Sequence, residues 1–304
     1  MSVLSRPRDA HAAPTAVDHD EVRRPGGREF EFGDRDFRRV CELIRERAGI
    51  ALADGKRDMV YGRLSRRLRA LGLRSFKDYL DLLEREGGEE WQAFTNALTT
   101  NLTAFFREPH HFERLRTELE HLRDANRHDE GPIALWSCAA STGEEPYSMA
   151  ITACEAFGTL NPPVRILATD VDTQVLATAG RAVYPIDRVN GIDIALRRRY
   201  FQRGTGQHEG FCRVHPALRQ LIEFRPLNLL APRYDVTGPF TALFCRNVMI
   251  YFDKPTQRGI LSRLVPHLAE DGMLYTGHSE NYLHAADVIQ PCGRTLYRRT
   301  RSAK

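Results

Sequence analysis

The chain has 304 residues, 42% hydrophobic and 28% charged, with a formal net charge of +4. That length allows one large domain or two smaller ones, and the composition fits a soluble globular protein with a sizeable core. The charge is too small to argue for nucleic acid by itself. Apolar runs are strand-sized and the first residues are polar, so neither a transmembrane helix nor a secretory signal is expected. Six cysteines (Cys41, Cys138, Cys154, Cys212, Cys245, Cys292) show no C-x-x-C spacing and no nearby His-x₃-His partner. Reduced thiols in a cytoplasmic protein are expected, and a metal site is not.

Residues 1 to about 30 are rich in Ala, Pro, Arg, Asp and His without periodicity and read as a disordered tail. From Phe37 the pattern turns helical, through FRRVCELIRERAG, MVYGRLSRRLRALG, SFKDYLDLLEREGG and EEWQAFTNALTTN. Gly49, Gly72 and Gly87-Gly88 fall where these helices would end. Residues 31–105 are therefore expected to form a small all-helical domain. Within it Val60, Leu64, Leu68 and Leu71 repeat at helical spacing, and Arg63, Arg66 and Arg69 fall opposite, facing either solvent or a partner.

TTNLTAFFRE (Thr99–Glu108) places two Phe beside Asn101, Thr103 and Arg107 at the join between the halves. It reads as a packed helix end or as part of a small-ligand site, which domain joins favour. A helix over His110–Ala125 leads into residues 106–304, where strands and helices alternate as in an α/β fold with a mostly parallel sheet. PIALW (Pro132–Trp136) reads as a buried strand, Ser137–Pro146 as a turn of small residues, SMAITACEAFG as a helix, and Val164–Asp170 as a second strand ending in an acid.

That order is how doubly wound folds bind a nucleoside, with the terminal acid on the ribose hydroxyls. The turn has neither G-x-G-x-x-G nor G-x-x-x-x-G-K-[ST], which disfavours a dinucleotide and a nucleotide triphosphate. Glu144 and Glu145 open the helix, either as caps favoured by its dipole or, for Glu145, as a ligand contact. Asp170 has a ribose-binding or a simple loop role. Asn228-Leu229-Leu230 and CRNVMIYF (Cys245–Phe252) follow later strands and border the same crevice. The adjacent Arg246 and Asn247 hint at ligand contact, since burying them unsatisfied is costly; a turn-capping Asn247 is the alternative.

The later strands are expected in LIEFRPL, FTALFCRNV and GMLYTGH, with a final hairpin near VIQPCGRTLYRR. Between them Tyr200–Val214 reads as a β-ribbon with a loop holding Gly204, Gly206 and Gly210, and Leu221–Phe224 as a possible third strand alongside it. An inserted antiparallel subdomain over 199–226 follows, either a plain surface hairpin or an edge that accepts an extended peptide.

Taken together, TTNLTAFFRE, WSCAASTGEEPYSMAI, ILATDVD, GTGQHEGF, FCRNVMIYFDK and GHSEN resemble the chemotaxis receptor glutamate methyltransferases, the CheR family. The match runs collinearly from about residue 34 to residue 298, and KRDMVYGRLSRRLRALGL resembles the enteric-type members. The resemblance implies a Rossmann-like class I methyltransferase sheet and S-adenosylmethionine as cofactor, with S-adenosylhomocysteine as product. It implies that Asn101, Thr103, Arg107, Glu145, Asp170, Asn228, Leu229, Arg246 and Asn247 surround the cofactor. Arg107 and Tyr251 would lie nearest the transferring methyl and the acceptor carboxylate, and Arg63, Arg66 and Arg69 would meet acidic helical segments of chemotaxis receptors. In some members a receptor's C-terminal peptide binds the ribbon. A monomer with no nucleic-acid partner is expected.

The implied reaction accounts for the lack of a Ser-His-Asp set or paired catalytic carboxylates. A glutamate side chain, with an ordinary pKa of about 4.3, is already ionised at neutral pH and needs no general base. Methylation of an amine or nucleic acid is disfavoured, because Asn161-Pro162-Pro163 precedes the second strand and is followed by Val164 rather than an aromatic residue. A non-catalytic S-adenosylmethionine-binding receptor adaptor is the non-enzymatic alternative.

Overall fold

The computed structural model of the chain describes residues 28–126 and 131–300. The expected tail therefore lies outside the described residues up to position 27. Its last residue is packed, contrary to that expectation: Phe30 is buried against the helical unit, as is Phe32 just beyond it, with the Phe32 ring centroid 4.3 Å from that of Phe76.

Four helices build that unit: α1 (Asp34–Ala48), α2 (Arg57–Leu71), α3 (Phe76–Glu86) and α4 (Gly88–Leu98). Val40, Ile44, Val60, Leu64, Leu68, Tyr79, Leu80 and Phe94 are fully buried in one apolar cluster. Leu71, expected on the same stripe, is 40% exposed because α2 ends there and Gly72 turns the chain in the left-handed region.

Helix α5 (His110–Asp124) leads to β1 (Ile133–Ser137), α6 (Glu144–Phe157), β2 (Val164–Asp170) and α7 (Thr173–Arg181). After the subdomain come β6 (Ile222–Pro226), β7 (Phe240–Cys245), α10 (Lys254–Leu264), β8 (Leu268–Thr276) and the hairpin β9 (Ile289–Gly293) and β10 (Leu296–Arg299). The sheet order is β6-β2-β1-β7-β8-β10-β9, parallel except where β10 pairs antiparallel with β8 and β9. From β1 the chain winds outward through β2 to β6, then returns to β7 on the other side, so the order reverses at the β1–β7 pair. Open α/β sheets leave a ligand crevice at the carboxyl ends of strands at such a reversal. Separate apolar clusters cover the two faces, one centred on α5 and α6, the other on α10.

The subdomain differs from the expected ribbon. Its sheet has three strands, β3 (Val183–Pro185), β4 (Phe201–Arg203) and β5 (Phe211–Val214), in the order β3-β5-β4, joined by α8 (Ile194–Tyr200) and followed by α9 (Pro216–Gln220). Leu221–Phe224 does not pair alongside it. Ile222–Pro226 instead pairs in parallel with Ile166–Asp170 as the edge of the main sheet, so the inserted stretch ends before residue 222. The third strand is a three-residue segment after α7, too short for a periodic signal.

Substituting Phe32 tests whether the helical unit begins ahead of α1. Phe32→Ala is expected to destabilise the protein by about 3 kcal/mol, a typical buried Phe truncation, read as an earlier urea midpoint; an unchanged midpoint refutes the packing role.

Candidate active site

A cleft of about 250 Å³ opens between the helical unit and the carboxyl edge of the sheet. Its walls come from the end of α1, the start of α2, the 99–107 segment, the turn after β1, the end of β2, and the segments 227–229 and 246–252. Two glycines permit the close approaches. Gly143 (φ +100°) begins α6 where a Cβ would lie 2.7 Å from Ala179 Cβ, and Gly49 (φ +71°) ends α1 where a Cβ would lie 2.6 Å from the Phe252 ring.

The acids are each engaged. Asp170, at the end of β2, accepts from Ser141 N (2.9 Å) and Asp172 N (2.9 Å). Burial pushes its pKa up to about 6, although those two N–H groups pull the other way. Glu145 is buried and accepts from Ser137 Oγ (2.7 Å) and Arg246 Nη1 (2.9 Å). Burial raises its pKa, and the Arg246 charge opposes the rise. Glu144 makes no capping hydrogen bond to α6: buried, it accepts from Thr142 Oγ1 (2.6 Å) and pairs with Arg188, which also donates to Thr103 O (2.9 Å).

The cations divide into two kinds. Arg246 is buried, held by Glu145 and donating through Nη2 to Arg107 O. Arg107 is half-buried, donates from Nη1 to Leu102 O (3.0 Å), and has no carboxylate partner among the described residues. Lys56, at the start of α2, also lines the cleft without an ion-pair partner among the described residues.

The remaining residues named from the sequence also lie at the cleft. Asn101 donates to Asp172 Oδ2 (2.9 Å), and its carbonyl accepts from Ser141 Oγ (3.1 Å). Asn228 donates to Arg47 O (2.8 Å), tying the segment after β6 to α1. Leu229 is buried, and Asn247 adopts a left-handed φ of 56° with its amide against Gly277. Tyr251 lines the cleft, and its carbonyl accepts from Ala51 N (3.1 Å). Asn101, Thr103, Arg107, Glu145, Asp170, Asn228, Leu229, Arg246, Asn247 and Tyr251 thus border one cavity.

Arg63, Arg66 and Arg69 do not share its fate. Arg63 is half-buried and donates to Ala97 O (3.2 Å) and Thr99 O (2.5 Å), satisfying carbonyls where α4 ends. Arg69 pairs with Glu29 at 2.8 Å. Arg66 is exposed and makes only a bond within α2, to Gly62 O (3.2 Å). Arg63 is thereby drawn out of the expected arginine face, while Arg66 and Arg69 remain exposed on it. A period of 3.6 shows which way a side chain points, not which distant carbonyl or carboxylate it meets.

Two site residues escape sequence reasoning. Asp172 caps α7, accepting from Gln174 N (2.9 Å) and Val175 N (3.2 Å) through Oδ1 while Oδ2 holds Thr99 Oγ1 (2.7 Å) and Asn101. Glu280 accepts from Met249 N (3.0 Å) and Gly277 N (2.5 Å), pinning the segment that presents Tyr251. The Asp before a helix was a usable capping signal for Asp172, and both residues lie inside motifs, ILATDVD and GHSEN, that carried the resemblance without a role being given to either.

The family model described as the CheR methyltransferase SAM binding domain matches residues 101–298, and that of the CheR methyltransferase all-alpha domain matches residues 35–99. The chain belongs to the CheR methyltransferase family. Chemotaxis protein methyltransferase 2 of Pseudomonas aeruginosa is 51% identical over 272 residues, spanning 90% of this chain and 95% of that one. The chemotaxis protein methyltransferase of Salmonella typhimurium is 54% identical over 267 residues, spanning 88% and 90%. That of Escherichia coli is 52% identical over 267 residues, spanning 88% and 91%.

As a CheR methyltransferase the chain takes S-adenosylmethionine as its cofactor. The cleft fits that molecule's chemistry. An acid at the end of β2 suits vicinal hydroxyls, and Leu229, Val248 and Leu98 supply apolar wall for a base. Among the described residues no helix is long and apolar enough to cross a membrane.

Breaking the Glu145–Arg246 pair leaves a buried carboxylate without its counter-charge. Arg246→Met is expected to cost about 3–5 kcal/mol in urea unfolding. Adding Glu145→Gln should restore part of that loss; equal instability of the double variant argues against the pair.

Proposed function

We propose that this chain methylates glutamate side-chain carboxylates of chemotaxis receptors, giving methyl esters. The observation that carries the reading is the charge inventory of the cleft. Glu145 and Asp170 are committed to internal hydrogen bonds, whereas Arg107 has no carboxylate partner among the described residues. A site organised in this way lacks a free base and offers a cation to an anion. An acceptor already ionised at neutral pH suits it; a protonated amine does not. The names of the relatives, all chemotaxis protein methyltransferases, support receptors as the acceptors.

Bound S-adenosylmethionine supplies an electrophilic methyl group on a sulfonium. Asp170 would hold its ribose, Asn228 and Leu229 its adenine, and Asn101, Thr103, Glu145, Arg246 and Asn247 the rest of the pocket. The protein's own contribution is positional: Arg107 and Tyr251 orient the acceptor carboxylate. Alignment of this kind supplies roughly 7–11 kcal/mol of barrier reduction in favourable cases. Arg107 orients without neutralising, because a fully paired carboxylate is a poorer nucleophile. Arg66, the exposed Arg69 beside it, whose surface pair with Glu29 is exchangeable, and Lys56 at the cleft would steer an acidic receptor segment.

Transfer of labelled methyl to receptor-containing membranes tests the reaction. Label released as methanol by mild alkali is expected, the mark of a carboxyl ester; alkali-stable label would instead place the methyl on nitrogen or carbon and overturn the glutamate assignment.

A pH dependence follows from Asp170. Its carboxylate accepts hydroxyl hydrogen bonds best when ionised, and its pKa is pushed up to about 6 by burial. Protonation therefore competes with binding, so affinity is full above pH 6 and falls below it, by up to about tenfold per pH unit. Calorimetry across pH 5–7.5 checks this; Asp170→Asn should bind more weakly and flatten the profile.

A further inference from the structure

The turn that carries Arg107 has an unusual backbone. Phe106 (φ 53°) and Glu108 (φ 58°) flank it, both in the left-handed region although both carry a Cβ. Such conformations persist only where the surroundings hold them, and they cluster at functional sites. Phe106 N is held by Ser148 Oγ (2.9 Å), and Arg107 O by Arg246 Nη2. The third holding group is the Glu108 side chain.

Its carboxylate reaches two other loops. Oε1 accepts from His278 N (3.3 Å) and lies 3.1 Å from His278 Nδ1, in the segment after β8. Oε2 is buried without a hydrogen bond, 3.7 Å from Arg246 Nη2 at the end of β7 and 3.7 Å from His111 Nδ1 on α5. Burial, aided by the Arg246 charge, pushes the His111 ring down to about 3, so His111 brings no positive charge. The positive partners of Glu108 are therefore Arg246 and, when protonated, His278.

We propose that Glu108 is a positioning residue for methyl transfer: it clasps the turn to the ends of β7 and β8 and acts through Arg107. The proposal rests on the role given above to Arg107. Arg246 is shared between Glu145 and Glu108 while its Nη2 holds the Arg107 carbonyl. With Glu108 uncharged, Arg246 is drawn toward Glu145 alone, and the carbonyl that aims Arg107 loses its fixed donor. Glutamine keeps the length but not the charge, so it separates electrostatic holding from simple filling of space.

The test is a double-mutant cycle over wild type, Glu108→Gln, Arg107→Ala and the double variant. Each is assayed for methyl ester formation on receptor membranes and for S-adenosylhomocysteine binding by calorimetry, with thermal melts to verify folding. A misplaced Arg107 should lower kcat by about 10- to 100-fold in Glu108→Gln, as expected for an ångström-scale displacement. In the Arg107→Ala background the same change should cost less than about twofold. Equal losses in both backgrounds, or full activity of Glu108→Gln, overturn the proposal. Should wild type form no ester, the proposed reaction fails, and the binding cycle alone decides on Glu108: coupling of the two residues in affinity supports it, additivity refutes it. Should Glu108→Gln fail to fold, His278→Ala opens the clasp from its exposed side and is expected to show the same non-additivity with a smaller loss.

Discussion

A guanidinium with only 2% of its side chain exposed depends on partners inside the protein, and Arg246 finds them for both terminal nitrogens on two separate segments, while its Nε is left without a hydrogen bond. One donor meets Glu145 at the start of α6; another meets the carbonyl of Arg107 in the strained turn. Glu145 in turn holds Ser137 at the end of β1. The carboxyl ends of β1 and β7, the first turn of α6 and the 106–108 turn are thereby fixed to one another through one charge pair. A pair of this kind adds little net stability compared with apolar packing, because desolvating both ions is expensive. Its value here is geometric: it sets where the cleft's walls stand and where the unpaired guanidinium beside it points.

The charges around the cleft then divide by role. Asp170, Glu145 and Glu280 accept internal hydrogen bonds that hold backbone segments, and burial raises the pKa of all three. Arg107 and Lys56 carry their charge into the cleft without a carboxylate partner among the described residues. Acids used as struts and cations left free are the arrangement on which the proposed anionic acceptor rests. Nucleophilic catalysis by the protein would require the reverse, a side chain activated by a neighbouring base.

Much of this was legible in the sequence because it is periodic or local. The buried run Ile133–Ser137, the small-residue turn and the acid ending Val164–Asp170 follow from strand and helix patterns and from what small residues permit. The helical unit showed itself in four amphipathic stretches separated by glycines. What stayed hidden depended on pairing at long range. The edge strand Ile222–Pro226 carries no mark that it belongs to β2 rather than to the neighbouring ribbon, and Val183–Pro185 is too short to announce a strand. Arg63 looked like a surface arginine because its partners, the carbonyls of Ala97 and Thr99, lie over thirty residues away. Asp172 looked like a helix cap and is one, yet its second oxygen organises the cleft.

Those hidden partners explain why the two domains act as one site. Arg63 secures the end of α4, from which the chain runs through Thr99 and Asn101 to Arg107; Asp172 catches Thr99 and Asn101 from the sheet side. Gln92 reaches Val171 O (2.8 Å), and Asn228 reaches Arg47 O, so both walls are tied across the join. The helical unit thus supplies one wall of the cleft. A charge change at Arg63 disturbs the cleft as well as any outer surface, and a change at Arg69 releases Glu29. Only Arg66 reports on the outer face alone, because its sole bond is to its own helix. Of the three arginines that periodicity groups together, Arg63 therefore turns in to hold the end of α4, while Arg66 and Arg69 stay on the exposed side.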